Sequence, residues 1–479
     1  MTFRVWLSAR LGADGMGLYS LIMTVFAFGV TLATSGIHLA VTRMIAEERA
    51  VGHYAGVRRV MRTALSGSAL LGGFAGLLLF LFAGPVSVFW LKEPDAAAAL
   101  RILAAALPAM AISGAVGGYF TGSRQAYKNA LLSLFSQLSE IAVTAFLLCF
   151  VFSSSYRSAT EAIAIGCVSG EVLCAVSGLL LFFRDLSRLP HSGGSTAEPR
   201  HRLCRIALPI AVTSYARSAL LTLEHVLIPI GLIAYGAAKT DALASYGIIH
   251  AMVMPTVLFP MALVSAVAGL IVPELAEYRA GEKAGQISRG VTRLLRITLL
   301  YAVGVAAVFL AFGDEIGLLF FDSAEAGRYL RILGALVPVM YLDHITDAAL
   351  KGLDQQVAVM RYNLADSALC VLAVWLLLPH YGADGYVFIL FASELFNASL
   401  SIGRLFAVSR ARLLPLRHLF LPIICAGGGA ALCRLLFSAL RIAYFSPVSS
   451  VLSHTLLFLL FYTAFLLITG CLPRPSRRH

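Results

Sequence analysis

Long apolar runs recur along almost the whole chain, and they restrict its fold more than any other feature. A helix that crosses a membrane needs about 20 predominantly apolar residues. Runs of roughly that length lie near 17–42, 63–83, 98–119, 130–152, 160–183, 206–233, 243–272, 293–313, 329–350, 364–379, 384–403, 418–438 and 449–471. The run at 364–379 is short and ends at Pro379. Together the runs predict an all-α polytopic membrane protein.

The composition excludes a soluble protein and shows no sign of catalysis. Charged residues make up 13% of the 479 residues, whereas soluble domains carry about 25%. The 8 cysteines form no CxxC pair, so they predict no metal site and no disulfide framework. Motifs of ATP-driven pumps and hydrolases, such as GxxxxGKS/T and GxSxG, are absent. The sequence therefore indicates that the chain is not an enzyme and needs no cofactor.

The 37 Lys and Arg residues predict the orientation of the chain in the membrane. Most of them lie in alternate loops, with clusters at 43–62, 184–205, 279–296, 404–417 and 474–478. Loops rich in Lys and Arg stay in the cytoplasm, so these loops and the C-terminus are predicted to be cytoplasmic. This topology explains the net charge of +12, and we expect no nucleic-acid partner.

An internal repeat relates the two halves of the chain. The tetrapeptide Leu100–Leu103 recurs as Leu330–Leu333, a shift of 230 residues. Further identities at the same shift are Pro108 with Pro338, Met110 with Met340, Gly122 with Gly352, and Gln125 with Gln355. The repeat predicts two six-helix lobes related by a pseudo-two-fold axis, plus two C-terminal helices.

The repeat also predicts domain boundaries. We expect an N-terminal lobe over 1–190, a cytoplasmic linker over 191–204, a C-terminal lobe over 205–408, and an additional helix pair with a basic tail over 409–479. In this fourteen-helix pattern the first helix is truncated to a stub at about Met1–Arg10. The alternative is that Met1 is the true start and that one lobe lacks its first helix.

Ionisable side chains inside the predicted spans are costly in lipid, so they are candidates for function. Arg217 and Glu224 lie in one span about two helical turns apart, which places both on one side. Asp343 and Asp347 share a stripe of another span with Lys351, which can pair with Asp347. The two pairs, Arg217 with Glu224 and Asp343 with Asp347, are candidates for a hydrated central cavity in which the arginine binds an anionic substrate.

Three carboxylates in further spans, Glu140, Asp366 and Glu394, are candidates for coupling to H⁺ or Na⁺. The alternative is that buried charges only pair between helices and hold the bundle together. Pro255 and Pro260 interrupt the run at 243–272, and Pro273 is predicted to end it. Transporters use broken helices as gates, so Pro255 and Pro260 are gating candidates. A static kink is the alternative.

Several stretches carry a resemblance to a known family. They include ARLGADGMGLYSL (9–21), GYFTGSRQAYKNALLSLFSQLSE (118–140), RIALPIAVTSYARSALLTLEHVLIP (205–229) and YLDHITDAALKGLDQQVAVMRYNLADSAL (341–369). The chain resembles the stage V sporulation protein B-like flippases of the multidrug/oligosaccharidyl-lipid/polysaccharide (MOP) exporter superfamily. Since the matching stretches are spread over nearly the whole chain, the resemblance covers both predicted lobes.

The resemblance implies a fourteen-helix transporter of the cell (cytoplasmic) membrane. It implies that an undecaprenyl-diphosphate-linked saccharide, such as lipid II, moves from the inner to the outer leaflet by alternating access. Arg4 and Arg10 match the R-x5-R pattern of related lipid II flippases, which makes Arg4 a candidate ligand of the diphosphate. Cell-wall or polysaccharide synthesis enzymes are the implied partners. The alternative function is a multidrug or cation antiporter of the same superfamily.

Overall fold

The computed structural model describes residues 2–151, 156–190, 199–281, 283–411, 413–414, 416–440 and 447–471. Most of the predicted linker (191–198) and most of the basic tail (472–479) lie outside the described residues. In the described ranges the regular elements are helices, and none is a β-strand. The predicted all-α fold is therefore confirmed.

Helices account for most of the described part of the chain. The α-helices are α1 (Thr2–Thr34), α2 (Ile37–Ala50), α3 (Tyr54–Pro85), α4 (Ala96–Ala104), α5 (Ala106–Gly122), α6 (Ala126–Phe146), α7 (Tyr156–Ser187), α8 (Pro199–Tyr235), α9 (Lys239–Gly247), α10 (Met254–Leu258), α11 (Met261–Ala280), α12 (Ala284–Phe321), α13 (Ala324–Gly334), α14 (Val337–Gly352), α15 (Gln356–Ser409), α16 (Leu421–Leu440) and α17 (Pro447–Ile468). Short π-helical turns lie at Val86–Trp90, Leu147–Val151, Ile248–Val253 and Leu416–Phe420.

The number of candidate spans is close to the number of apolar runs, but the divisions differ, because α15 covers two predicted runs and the run at 243–272 is divided into two segments. Among the described residues, 12 helical segments are long and apolar enough to cross a membrane. The pair α13 and α14, bent by 57°, raises this number to 13 when it is counted as one span. The chain is a multi-pass membrane protein, as the apolar runs predict.

Two helix ends predicted from prolines, at Pro273 and Pro379, are wrong, whereas the interruption predicted at Pro260 is present. α11 continues through Pro273, which was expected to end the span, and the break in this region falls before α11, at Pro260. Likewise α15 runs through Pro379, and its break lies at Gly382, whose φ is 57° and ψ is −145°. A proline late in a span keeps its neighbours helical because adjacent helices and side chains satisfy the freed carbonyl. Only the glycine adopts the left-handed conformation that reverses the chain.

The chain divides into two compact units. One is Leu18–Leu227, and the other combines Met1–Gly17 with Ile228–His479. α1 and α8 each run from one unit into the other. The predicted lobe boundaries near 190 and 205 stay a prediction.

A buried core lies between α2, α3, α5 and α7 in the unit Leu18–Leu227. Val41, Tyr119 and Phe182 in this core are at most 1% exposed. The rings of Tyr119 and Phe182 meet edge to face with their centroids 4.9 Å apart, an arrangement that aromatic pairs favour. This core joins helices that are distant in sequence.

Buried tyrosines join the helices of the other unit. Tyr341 on α14 donates a hydrogen bond to the carbonyl oxygen of Val257 at 2.8 Å. Tyr462 on α17 donates to the carbonyl oxygen of Leu300 on α12, also at 2.8 Å. Within a membrane no water competes for these hydroxyls, so the bonds fix α14 against α10 and α17 against α12.

The internal repeat is visible in the backbone of the two units. A Cβ built on Gly122 would lie 2.5 Å from a carbonyl oxygen of α2, and one on Gly352 would lie 2.9 Å from a carbonyl oxygen of α11. Small residues allow membrane helices to approach this closely. Two residues further on, Arg124 and Asp354 both have positive φ, of 59° and 56°. Positions 230 residues apart thus share both packing and conformation.

Gly36, in the break between α1 and α2, gives a stability prediction. Its φ is 79°, and an added Cβ would lie 2.4 Å from the carbonyl oxygen of Ala207. We expect Gly36→Ala to lower the free energy of unfolding by about 1–3 kcal/mol, because it adds backbone strain and a clash. Thermal unfolding of the purified protein in detergent measures this. Gly73→Ala is the control, since nothing lies within 4 Å of its added Cβ. Equal melting temperatures for both variants would contradict the prediction.

Candidate functional site

A network of carboxylates and amides joins α14 to α15 in the unit that contains Ile228–His479. Asn397 donates its Nδ2 hydrogen to Oδ2 of Asp343 at 3.0 Å. Asn363 donates in the same way to Oδ2 of Asp347, also at 3.0 Å. The hydroxyl of Ser401 donates to the other oxygen of Asp347 at 3.0 Å. The two aspartates of α14 are therefore both bound by side chains of α15.

The break at Gly382 brings this network together. Asn363 and Asn397 are 34 residues apart, yet Nδ2 of Asn397 lies 3.3 Å from Oδ1 of Asn363. A straight helix would separate them by about 51 Å. α15 is thus a hairpin of two helical arms, which supply the two predicted spans at 364–379 and 384–403.

The ion-coupling candidates of the second half belong to the same region. Asp366, on the first arm of α15, accepts a hydrogen bond from Ser393 on the second arm at 2.7 Å. Glu394 is close enough to Asp343, Asp347 and Asp366 to interact with their charges. The sequence assigned Asp343 and Asp347 to substrate and Asp366 and Glu394 to ions, but the structure brings all four into one acidic cluster.

Two buried oxygen atoms in this cluster accept no hydrogen bond from the described residues. They are Oδ1 of Asp343 and Oδ1 of Asn397, and the residue Asn397 is only 6% exposed. Buried oxygen acceptors are costly unless a donor or cation satisfies them. Carboxylates close together also repel, and a proton or cation relieves the repulsion. The arrangement suits a proton or a small hard cation such as Na⁺.

The ligands of such a cation would be mixed. Within the described ranges, no three His, Cys, Asp or Glu residues are placed to hold a metal ion. Asn363, Asn397 and Ser401 would therefore have to contribute oxygen ligands beside the carboxylates. Sequence reasoning missed these three side chains. The available signal was polar residues four apart on one helix face, as in Asp343 with Asp347 and Asn397 with Ser401.

The predicted pair of Asp347 with Lys351 is wrong. Both oxygens of Asp347 accept hydrogen bonds from α15, and Lys351 is exposed. An exposed ion pair gains little free energy, whereas the bonds from Asn363 and Ser401 satisfy a carboxylate inside the bundle. The aspartate therefore turns toward α15.

Arg217 lies in the other unit, at the middle of the long helix α8. The residues beside it contact the end of α1: Tyr215 donates to the carbonyl oxygen of Leu32, and Ser218 donates to Oγ1 of Thr31, both at 3.1 Å. Arg217 itself is exposed, and the described residues of Leu18–Leu227 offer it no hydrogen-bond or ion-pair partner. Glu224, two turns further on, is 8% exposed. The arginine is therefore the accessible member of this pair.

Glu140 lines a polar cavity of about 350 Å³ between α5, α6 and α7. Glu171 lines it too and accepts a hydrogen bond from Ser136 at 3.3 Å. Other polar side chains around the cavity are Ser113, Asn129, Ser133 and Gln137. At the shift of 230, Ser113 corresponds to Asp343 and Ser136 to Asp366. The repeat thus carries a polar cluster at the same place in each half, and the second cluster is richer in carboxylates.

Arg4, Pro255 and Pro260 are the remaining candidates, and the roles assigned to them stay predictions. Arg4 is exposed on the first turns of α1, which break at Gly12, where φ is 71°. Pro255 lies in the first turn of α10, directly after the π-helical turn Ile248–Val253. Pro260 precedes α11. Broken and π-helical segments often mark functional sites, so the gating role of the prolines stays open to test.

Comparison with known proteins identifies the family. Residues 1–279, more than half of the chain, match the family model described as "Polysaccharide biosynthesis protein". The chain belongs to the polysaccharide biosynthesis protein family. A second family model, described as "MatE", matches residues 226–376 of the chain.

Two relatives match the chain over about three quarters of its length. It is 21% identical over 368 residues to "Stage V sporulation protein B" of Bacillus subtilis (strain 168), covering 75% of this chain and 71% of the relative. It is 24% identical over 393 residues to "Probable multidrug resistance protein NorM" of Rhizobium meliloti (strain 1021), covering 78% and 79%. The predicted resemblance to stage V sporulation protein B-like proteins is confirmed.

Solved structures share the fold. "Lipid II flippase MurJ, inward closed conformation" superimposes with a TM-score of 0.74 at 13% identity, covering 98% of this chain and 95% of that chain. A structure described as "Inward-facing conformation of a multidrug resistance MATE family transporter of the MOP superfamily" gives a TM-score of 0.68 at 14% identity, covering 86% and 95%. At these identities the superpositions show that the chain shares the fold of these membrane transporters.

Proposed function

We propose that the protein flips a polyprenyl-diphosphate-linked oligosaccharide from the inner to the outer leaflet of the cytoplasmic membrane by alternating access. Lipid II and related cell-wall or exopolysaccharide precursors are the substrate class. The C-terminus lies in the cytoplasm, where the enzymes that make such precursors are the partners. The relative described as a sporulation protein and the neighbour described as a lipid II flippase support this choice.

The observation that carries the proposal is Arg217. An arginine in the middle of a span does not face lipid, because the cost is several kcal/mol, so its exposed guanidinium faces water. A guanidinium binds phosphate oxygens in pairs through its planar fork of donors. A diphosphate head group cannot cross about 30 Å of hydrocarbon unaided, and a cationic, hydrated path removes that barrier.

The acidic cluster on α14 and α15 couples transport to an ion gradient, which supplies the driving force. In this proposal H⁺ or Na⁺ binds at Asp343 and its neighbours. Release of the ion is coupled to the return of the transporter to its starting conformation. Two accepting oxygens without a donor, on Asp343 and Asn397, support a site for a positively charged species. A ligand shifts a conformational equilibrium only by binding the two states unequally, so the cluster must change its geometry between states.

An antiporter of drugs or cations is the second candidate function. The "MatE" match over 226–376 and the four carboxylates of the acidic cluster favour it. A cationic cargo would bind to carboxylates and would be repelled by Arg217, whereas a diphosphate would have the opposite preference. Substitution of Arg217 therefore separates the two functions.

Proteoliposomes containing the full chain and fluorescent lipid II provide the test, with a membrane-impermeant quencher reporting the leaflet. We expect flipping by the unmodified protein, and a rate lower by about tenfold or more for Arg217→Ala, because a charge-assisted hydrogen bond contributes about 1.5–3 kcal/mol. Arg289→Ala is the control, since Arg289 is exposed and bonds only within its own helix, to the carbonyl oxygen of Gly285 at 3.2 Å.

Two outcomes would contradict the proposal. If lipid II stays in its leaflet while a cationic dye is exported, the protein is an antiporter. If Arg217→Ala flips lipid II as fast as the Arg289→Ala control, the anion does not bind at Arg217.

A further inference from the structure

An apolar groove with a single cation at one end runs between α12 and α16. The cavity has a volume of about 570 Å³, within the range of about 300–1,000 Å³ of small-molecule sites. Small side chains form most of its walls: Ala306, Ala307, Ala311, Ala426, Gly427, Ala430 and Ala431. Because these residues have no side-chain atoms beyond Cβ, they leave space between the two helices.

Arg434 is the charged residue that lines the groove. It lies on α16 and donates a hydrogen bond from Nη2 to the carbonyl oxygen of Ala311 at 2.6 Å. This bond holds the guanidinium over the end of the groove and leaves its other donors available to a ligand, since the side chain is exposed.

Arg434 lies where the surface changes from apolar to charged. Three residues after Ala311, α12 carries Asp314, whose carboxylate is paired with Arg331 at 3.0 Å. Because Asp314 is already paired with Arg331, it does not neutralise the positive charge of the Arg434 guanidinium. Arg434 also lies three residues before the end of the candidate span Leu416–Phe437, and from this we infer that it reaches the level of lipid head groups, with the groove at the level of lipid chains.

The length of the groove fits one leaflet. From Arg434 to Ile423, at the other end of its α16 wall, is about 16 Å along the helix axis. This is about half of the 30 Å hydrocarbon thickness. One acyl chain of a phospholipid anchored at the head-group level spans that distance, whereas an isoprenoid cargo tail is far longer.

We propose that this groove binds an anionic phospholipid, with its phosphate on Arg434 and one acyl chain between α12 and α16. The lipid is a resident ligand and is distinct from the transported substrate. The site combines the two recognition elements of such a lipid, a guanidinium for the phosphate and a dry slot for the chain. It lies within one unit and does not depend on the transport function.

Photocrosslinking in nanodiscs tests the proposal with the full chain. The probe is phosphatidylglycerol with a diazirine on one acyl chain, diluted in phosphatidylcholine. We expect crosslinks to the α16 segment Ile423–Arg434, and about tenfold fewer with the same probe built on phosphatidylcholine. Arg434→Gln should lower the phosphatidylglycerol signal about tenfold, because it removes the charge that holds the phosphate. The control Arg289→Gln, which lies on α12 outside the groove, should leave the signal unchanged.

A second variant separates groove binding from folding. Gly427→Leu fills the slot, and nothing lies within 4 Å of an added Cβ at Gly427, so the fold should persist. We expect about tenfold fewer crosslinks and an unchanged melting temperature. Equal crosslinking in all variants would overturn the proposal, because the lipid would then be bulk annulus. Displacement of the probe by undecaprenyl phosphate at lower concentration than by phosphatidylglycerol would also overturn it and assign the groove to the cargo.

Discussion

Replacing Asp343 with asparagine is expected to lower cation-driven transport by about tenfold or more. The asparagine has the same shape, and its carbonyl oxygen still accepts the hydrogen bond from Asn397. What it loses is the negative charge that binds the proton or cation beside Asn397 and Glu394. Since a charged hydrogen bond contributes about 1.5–3 kcal/mol, the loss corresponds to a factor of about 10–150 in cation affinity.

Transport in proteoliposomes with an imposed Na⁺ or H⁺ gradient measures this effect. Asp384→Asn is the matched control, because Asp384 is an exposed carboxylate of the same unit, paired with Arg328 at 3.3 Å. We expect it to transport at the normal rate. A normal gradient-dependent rate for Asp343→Asn would show that the acidic cluster does not carry the coupling ion.

Replacing Lys128 with methionine is expected to destabilise the unit Leu18–Leu227 by about 3–5 kcal/mol. Lys128 donates to both oxygens of Asp185 at 2.7 Å, and the two side chains are only 16% and 15% exposed. Its ammonium also lies 5.2 Å from the ring centroid of Phe120. Without the lysine, Asp185 would be a largely buried charge with its partner removed, which is among the costliest single changes.

The double variant Lys128→Met with Asp185→Leu should recover most of this loss, since apolar residues replace a buried pair at little cost. Thermal unfolding in detergent compares the two. Arg328→Met, which breaks an exposed pair with side chains 57% and 81% exposed, should cost at most about 1 kcal/mol. If the double variant is no more stable than Lys128→Met, the pair does not stabilise the unit in this way.

The spans and the repeat were predictable because they rest on local rules. About 20 apolar residues suffice to indicate a span, and a shift of identical residues such as Gly122 and Gly352 indicates duplication. The breaks were less predictable. Proline lacks a donor wherever it occurs, but the neighbouring helices decide whether the helix ends, so Pro273 and Pro379 stayed helical.

The sequence predicts the charged residues of the candidate site but not the hydrogen bonds that join them. Carboxylates inside spans are conspicuous, so Asp343, Asp347 and Asp366 could be named from the sequence. Their grouping depends on the hairpin of α15, which brings together Asn363 and Asn397 across 34 residues. Neutral amides in apolar runs give a weak signal, and no periodicity indicates which of them meet.

The hairpin of α15 also has a consequence for how the chain enters the membrane during synthesis. An aspartate at the centre of a lone inserting helix costs about 2.5–3.5 kcal/mol. Asp366 is bonded to Ser393 at 2.7 Å, and both lie in the same hairpin. If the two arms leave the translocon together, Ser393 can donate its hydrogen bond to Asp366 as the hairpin enters the membrane. The fold-back at Gly382 thus lets the two arms of α15 enter the membrane as a pair that docks onto α14, which precedes them in the chain.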